Sequence, residues 1–425
     1  MSPISRRSFI RLAGGAAALG ALGLPGPGIA RAKGRVVVVG GGYGGAIAAK
    51  YIRRLDPGIE VTLVEQNTRF VSCPLSNEVL SGERDIASLT FGYEGLKAHG
   101  VQVVHDKVTA IEPDKHRVRT AGGKTLAYDR LIVSPGVDFK WRAIQGYGPE
   151  VAERLPHAWK AGPQTLLLRK QIRALRDGDN VVIVAPPNPF RCPPGPYERA
   201  AQIAHYLKEH KPRSKVIILD PKDKFSKQGL FQAGWKRFYG DRIQWIGGFA
   251  GGKVESVDPK SMTVQAEVER FKAGVINVIP PQKAGAIAQA ADLADSSGWC
   301  PVDQRTFESR RHPDVHVIGD ACIAGKMPKS GYAANSQGKV CAAAVVAALH
   351  GEPPPEPSYI NTCYSLIAPD YGISVAAVYR LEEDTIRPVK GAGGLSPGEA
   401  PDHVRRMEAM HARSWFRNIT ADMFT

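Results

Sequence analysis

Residues 35–45 read Arg35-Val36-Val37-Val38-Val39-Gly40-Gly41-Gly42-Tyr43-Gly44-Gly45, and this run decides the fold. Four consecutive valines predict a strand buried on both faces. A helical stretch, AIAAKYIRRL (46–55), follows, and then a second strand, EVTLVE, over Glu60 to Glu65. Strand, glycines, helix and strand make a βαβ unit, with Gly40, Gly42 and Gly45 in G-x-G-x-x-G spacing. The first glycine permits the tight turn. The second lets a pyrophosphate approach backbone amides at the helix N-terminus, and the third lets helix and strand pack closely. Glu65 ends the second strand about 20 residues on, where an acidic side chain binds a ribose hydroxyl. A glycine-rich surface turn alone would not explain that acid.

The fingerprint does not separate FAD from NAD, but later segments do. Leu131 to Gly136 (LIVSPG) resembles the short strand and turn that closes an FAD domain. Val315 to Asp320 (VHVIGD) resembles the second FAD motif of flavoproteins with two dinucleotide domains, in which the Asp contacts the ribityl chain. Ser330-Gly331-Tyr332 then precedes a helical run to Leu349. The N-terminal amides of that run are placed to face the pyrimidine edge of a flavin. The expected fold class is α/β, with two Rossmann-like domains.

The middle of the chain departs from the pattern. Asn180 to Ala185 (NVVIVA) and Val216 to Asp220 (VIILD) read as strands around a helix near Tyr197 to Lys208. The turn after the first of them is PPNPFRCPPGP (186–196), where an NAD-binding domain would carry glycines. Proline has no amide hydrogen to offer a pyrophosphate. The loop is expected to have lost nicotinamide binding and to present Cys192 instead.

The chain has 425 residues, 43% of them apolar and 23% charged, an ordinary globular composition that excludes a wholly disordered chain. Residues 1–32 read as an export signal. Ser5-Arg6-Arg7-Ser8-Phe9-Ile10 is a twin-arginine pattern, Leu12 to Leu24 is a short apolar run, and Ala30-Arg31-Ala32 offers a cleavage site. That run is too short to span a membrane, and no later segment reaches spanning length. The expectation is export in the folded state to the periplasm, an oxidising compartment. Removing Arg6, Arg7, Arg11 and Arg31 lowers the net charge from +15 to +11. This charge suits an anionic substrate or an acidic partner. Nucleic acid is not expected, because the basic residues are dispersed and no recognition motif accompanies them.

Six cysteines are too few for a disulfide scaffold at this length. Cys73, in FVSCPL (70–75), follows the ribose acid on a segment that passes the dimethylbenzene edge of a flavin. A thiolate there can attach to the 8α-methyl group, although a buried cysteine is the commoner outcome. Cys192 and Cys363 lie 171 residues apart. In an exported protein such cysteines tend to form disulfides, either an electrophile beside the flavin or a stabilising staple. Cys300, Cys322 and Cys341 read as core. No C-x-x-C-H is present, so no haem c is attached to this chain, and no zinc-type spacing occurs.

Long motifs carry a resemblance over essentially all of the mature chain. GGGYGG (40–45), SCPLSNEVLSG (72–82), LPHAWKAG (155–162), PFRCPPGPYERA (189–200), VIGDACIA (317–324), MPKSGYAANSQGK (327–339) and YINTCYSLIAPDYGISVAAVY (359–379) resemble the flavoprotein subunit of flavocytochrome c sulfide dehydrogenase. That family is related to the sulfide:quinone reductases and has a glutathione-reductase-like fold. The resemblance implies FAD bound covalently through Cys73, a redox-active disulfide between Cys192 and Cys363, oxidation of hydrogen sulfide, and a c-type cytochrome partner carrying the haem. It implies cofactor contacts from Gly40, Gly42, Gly45, Glu65, Gly136, Asp320 and Tyr332. Cys341 departs from the family without disturbing any motif.

The implied organisation is a signal (1–32), an FAD domain in two parts (33–150 and 291–357) around a second nucleotide-type domain (151–290), and a C-terminal α+β flavin-binding segment (358–425). Two other functions compete: a membrane-surface sulfide:quinone reductase, and an accessory flavoprotein that maintains a sulfur-carrier protein. Lys339 and His205 are candidate bases by residue type only, with a solvated role expected for both. Trp415, Phe416 and Phe424 are expected to pack over the flavin or against a cytochrome rather than to anchor in a membrane.

Overall fold

The computed structural model describes residues 33–425, so the twin-arginine segment lies outside the described residues. The valine run forms the strand Arg35–Val39, at the centre of a five-stranded parallel sheet. Glu60–Val64 pairs on one side of it and Arg130–Val133 on the other. Gln102–Val104 and Val315–Val317 complete the two edges. The valines can fill this central position because both faces of the sheet are covered. Val36 to Val39 are buried, as are Ala46, Ile47, Ala48, Ala49 and Ile52 of the helix Gly45–Leu55. That helix packs on a second one, Gly331–His350, whose small residues allow close contact.

Val315–Val317 joins a sheet whose other strands end by residue 133, so the first domain is built from two separate pieces of chain. The intervening chain builds a second parallel sheet, in the order Ile243–Ile246, Val216–Leu219, Val181–Val184 and Val275–Val278. An antiparallel pair, Val137–Phe139 with Gln282–Ala284, ties the outgoing and returning crossings together. This is the expected α/β arrangement of two nucleotide-type sheets.

The chain ends in a three-stranded antiparallel sheet, Ser358–Ala368, Tyr371–Glu382 and Thr385–Leu395, and the helix Asp402–Phe424. Gly372 admits the helix: a Cβ there would stand 2.5 Å from the Ala409 nitrogen. Phe416 and Phe424 are buried, and Phe424 stacks on Phe91 with centroids 5.2 Å apart. Burial of each ring contributes roughly 1.5–3 kcal/mol, so these aromatics hold the C-terminal helix to the first domain. Among the described residues, no helix is long and apolar enough to cross a membrane.

Candidate functional site

The glycine loop is shaped by exclusion. Gly40 has φ +96°, and a Cβ there would overlap the Ser134 carbonyl oxygen. A Cβ on Gly45 would overlap the Gly40 carbonyl oxygen, so helix and strand touch as the motif requires. A Cβ on Gly42 would meet nothing nearer than the Phe70 ring at 3.5 Å, leaving that side of the loop open. The Glu65 carboxylate is fixed beside it, accepting the Gly41 N–H at 2.8 Å and both Asn67 donors at 2.9 Å.

Gly136 turns the chain at φ +64° and Gly319 at φ +75°. The second turn exposes the Gly319 N–H to Gln337 Oε1 (2.8 Å) and carries Asp320. Burial pushes the Asp320 carboxyl upward, against the pull of Arg191 and Lys329. Its Oδ1 is buried without a partner among the described residues, as are Gln282 Nε2 and Asn335 Nδ2. Each such atom costs about 1–3 kcal/mol unless something bonds it. Ser330 caps the helix Gly331–His350, accepting the Ala333 N–H at 3.1 Å, and Tyr332 follows in its first turn. An open glycine loop, a fixed Glu65 carboxylate, an unpartnered Asp320 Oδ1 and a capped helix N-terminus fit FAD.

Arg191 links this cofactor end to the sulfur chemistry. Burial pulls its guanidinium down, but Cys73, Asp320 and Cys192 all face it and hold it above its ordinary value. It donates to the Trp159 carbonyl oxygen, which also lies 3.6 Å from Cys73 Sγ. The Trp159 N–H is held by His157 Nδ1 at 2.9 Å. Burial, with Lys160, Arg199 and Arg191 nearby, pulls the His157 imidazole to about 3, so it stays neutral and acts as an acceptor.

Cys192 sits at φ +59° on the proline loop. Its N–H donates to the Lys329 carbonyl oxygen, and its own carbonyl accepts the Gly195 N–H, both at 2.8 Å. The helix Gly195–His210 starts there with Pro196 in its first turn, so the loop and that turn offer few amides, and Glu198 opposes an anion. Asp220, at the place where a ribose acid would stand in this second domain, is fully buried. It is consumed by Tyr197 (2.6 Å), Trp245 (3.0 Å) and Lys222 (2.6 Å). The loop thus offers few free amides, and the strand-end acid is already bonded.

The fold brings Cys363, on the strand Ser358–Ala368, toward Cys192. The two sulfurs lie in one another's field and both face Lys227. Both are free thiols in this structure, as are the other four cysteines. Burial drives the Cys192 thiol far upward, helped by Glu198 and Cys363. Asn361 Nδ2 lies 3.4 Å from Cys363 Sγ.

Sequence reasoning missed Glu198 and Lys227. Glu198 is held by the Leu366 N–H and Asn77 Nδ2, each at 2.8 Å, and burial raises its carboxyl above the usual range. Its signal was legible: an acid in the first turn after the cysteine loop, in CPPGPYE. The two earlier candidate bases are elsewhere, each near a carboxylate. Lys339 bonds Asp422 at 2.7 Å, and His205 lies between Glu83 (3.6 Å) and Glu209 (4.0 Å). Cys300, Cys322 and Cys341 are buried, the first two in register on paired strands.

A cavity of about 830 Å³ opens between the helices Gly331–His350 and Asp402–Phe424 and the strand Ser358–Ala368. Tyr332 and Trp415 line it, stacked with centroids 6.0 Å apart. Of the three C-terminal aromatics, Trp415 lines this cavity, whereas Phe416 and Phe424 are spent on packing within the chain.

Three sequence models of known families match the chain. Residues 34–184 match "Pyridine nucleotide-disulphide oxidoreductase", residues 165–280 match "Sulfide dehydrogenase (flavocytochrome c) flavoprotein chain, central", and residues 355–424 match "Flavocytochrome c sulphide dehydrogenase, flavin-binding". The mitochondrial sulfide:quinone oxidoreductase of Mus musculus is 24% identical over 314 residues, covering 67% of this chain and 65% of that protein. The chain thus spans slightly less than two thirds of that relative's length. The solved sulfide:quinone oxidoreductase of Aquifex aeolicus superposes with a TM-score of 0.71 at 17% identity, over 91% of this chain and 92% of that one, a likeness of fold. The sulfide dehydrogenase (flavocytochrome c) flavoprotein chain of Chlorobaculum thiosulfatiphilum is 71% identical over 45 residues, 11% of this chain but 94% of that sequence. On that identity and on the family's own central and flavin-binding models, the chain belongs to the flavoprotein chains of flavocytochrome c sulfide dehydrogenase.

Proposed function

We propose that the protein oxidises hydrogen sulfide to sulfur or polysulfide through a Cys192–Cys363 disulfide, and that the electrons pass by way of FAD to a c-type cytochrome subunit. The observation that carries this reading is the convergence of Cys192, Cys363 and Glu198 in one half-buried site, which Arg191 joins to Cys73 and Asp320. Hydrosulfide attacks the oxidised pair. One new sulfur–sulfur bond forms, the Cys192–Cys363 bond breaks, and its electron pair leaves on the second cysteine sulfur. Glu198 takes the proton of the entering hydrogen sulfide, the work of a carboxylate raised by burial. FAD, when bound, supplies the conversion of an electron pair into single electrons.

We further propose that FAD is joined to Cys73, and that the protein works in the periplasm after export in the folded state. A covalent link would prevent cofactor loss where FAD is not replenished. Acid precipitation of the native protein then leaves the flavin in the pellet, whereas Cys73→Ser releases it to the supernatant. Release from the native protein contradicts the link.

A quinone is the second acceptor to test, because the relatives matched over about two thirds of the chain are sulfide:quinone oxidoreductases. Sulfide-reduced protein is offered a c-type cytochrome or a short-chain quinone in separate anaerobic reactions. Reoxidation at least tenfold faster with the cytochrome is expected, and the reverse preference would reassign the acceptor.

A further inference from the structure

We propose that Lys227 is a positioning residue of the sulfur site, whose ammonium holds the negative charge that appears on the Cys363 sulfur when the cysteine pair is opened. The inference rests on the reading of Cys192 and Cys363 as the redox pair, and it adds a cation that neither the family descriptions nor the sequence motifs assign.

Lys227 stands one residue before the helix Gln228–Tyr239, in the left-handed region at φ +61°. A non-glycine residue pays roughly 1–2 kcal/mol for that conformation. The side chain is 4% exposed. Its Nζ donates to the Cys363 carbonyl oxygen at 3.0 Å and to Ser365 Oγ at 2.8 Å, which leaves a third N–H uncommitted among the described residues. A buried ammonium is costly unless an anion faces it. Burial indeed lowers Lys227 from its usual range, and the Cys363 sulfur opposes that shift more strongly than any other group.

Glu198 on the helix Gly195–His210, Cys192 on the loop before it, and Glu408 on the C-terminal helix face Lys227 more weakly. Both carboxylates are engaged elsewhere. Glu198 bonds Asn77 and the Leu366 N–H, and Glu408 bonds Ser374, Ser396 and Arg405. The sulfur of Cys363 has only the Asn361 amide nearby among its hydrogen-bonding neighbours. When hydrosulfide adds to one sulfur of the pair, the bond between the cysteines breaks and its electron pair is left on the other. Charge that develops at Cys363 in this exchange therefore meets a cation already in place.

The test reads the thiol directly and uses no sulfide. Flavin-loaded Cys192→Ser protein is treated with iodoacetamide between pH 6 and 10, and alkylation of the Cys363 peptide is followed by mass spectrometry. The thiolate is the reacting form. Adding Lys227→Gln, which keeps hydrogen-bond donors but removes the charge, is expected to slow alkylation about tenfold at pH 7.5. It should also move the rate profile upward by about one pH unit, the shift that matches a tenfold change. Lys227→Met is the second variant, and flavin content and thermal midpoint confirm that each variant is folded. An unchanged rate and profile in folded Lys227→Gln or Lys227→Met would overturn the role. Failure of the sulfide reading is separately visible, as a native protein whose flavin does not respond to sulfide while this alkylation result still stands.

Discussion

Replacing Cys363 by serine removes the fast reduction of the flavin by sulfide, and Cys192→Ser does the same. The loss should be on the order of 10⁴-fold or more, the scale on which removing a covalent nucleophile acts. Both sulfurs are required, because hydrosulfide needs one to bond to and the other to accept the displaced electron pair. The fold should survive either change. Cys192 holds its loop through its own backbone, with its N–H on Lys329 and its carbonyl on Gly195, and serine keeps both bonds. Cys363 is paired in register with Val375 by backbone geometry that serine also keeps. Stopped-flow absorbance of each variant, with flavin content as the control, makes the comparison. A variant that retains native-speed reduction would show that the cysteines are a staple and not a reactant.

Glu198→Gln slows the same step by about 10²–10⁴-fold, the usual contribution of a general base. The sign of its pH dependence follows from burial. The carboxyl is raised above its ordinary range by desolvation, against the Leu366 N–H, Asn77 and Lys227. It therefore keeps its proton to higher pH than a free glutamate, and the rate climbs as pH rises through that raised value. Glutamine removes this limb and leaves a flatter profile. Stability moves the other way. A carboxyl raised in the folded state stabilises the fold at low pH and loses that contribution as pH rises through its folded value. Above that folded value, glutamine removes the cost of the desolvated charge and still offers an acceptor to the Leu366 N–H. A slower but no less stable enzyme is the expected result, read by rate against pH and by thermal midpoint. A profile identical to that of the native protein would remove Glu198 from the reaction.

The first domain was readable because its signals are local. A valine run, three glycines at fixed spacing and an acid at the strand end each make a separate steric or polar demand, and the structure shows those of the valines, Gly40, Gly45 and Glu65. The departure of the second domain from a nicotinamide-binding pattern was half legible. The prolines gave the loop away, but the sequestering of Asp220 by Tyr197, Trp245 and Lys222 depends on residues up to 25 positions away and on a helix packing over the sheet. Glu198 could have been found from its place in the first turn after the cysteine loop. Lys227 could not. Nothing around Lys227 in the sequence, KFSKQGLF (224–231), marks a cation that meets the cysteine strand, and only the folded chain brings its Nζ to the Cys363 carbonyl oxygen, 136 residues on. Lys339 and His205 show the converse. Chosen by side-chain chemistry alone, Lys339 is paired with Asp422 and His205 lies near Glu83 and Glu209, both away from the cysteine site.

The most direct measurement adds sulfide, and separately NADH, anaerobically to the purified flavin-loaded protein while the visible flavin band is followed. Rapid bleaching by sulfide with no response to NADH is the predicted result, because the proline loop offers few amides and Asp220 is already bonded. Bleaching by NADH and not by sulfide would contradict the account.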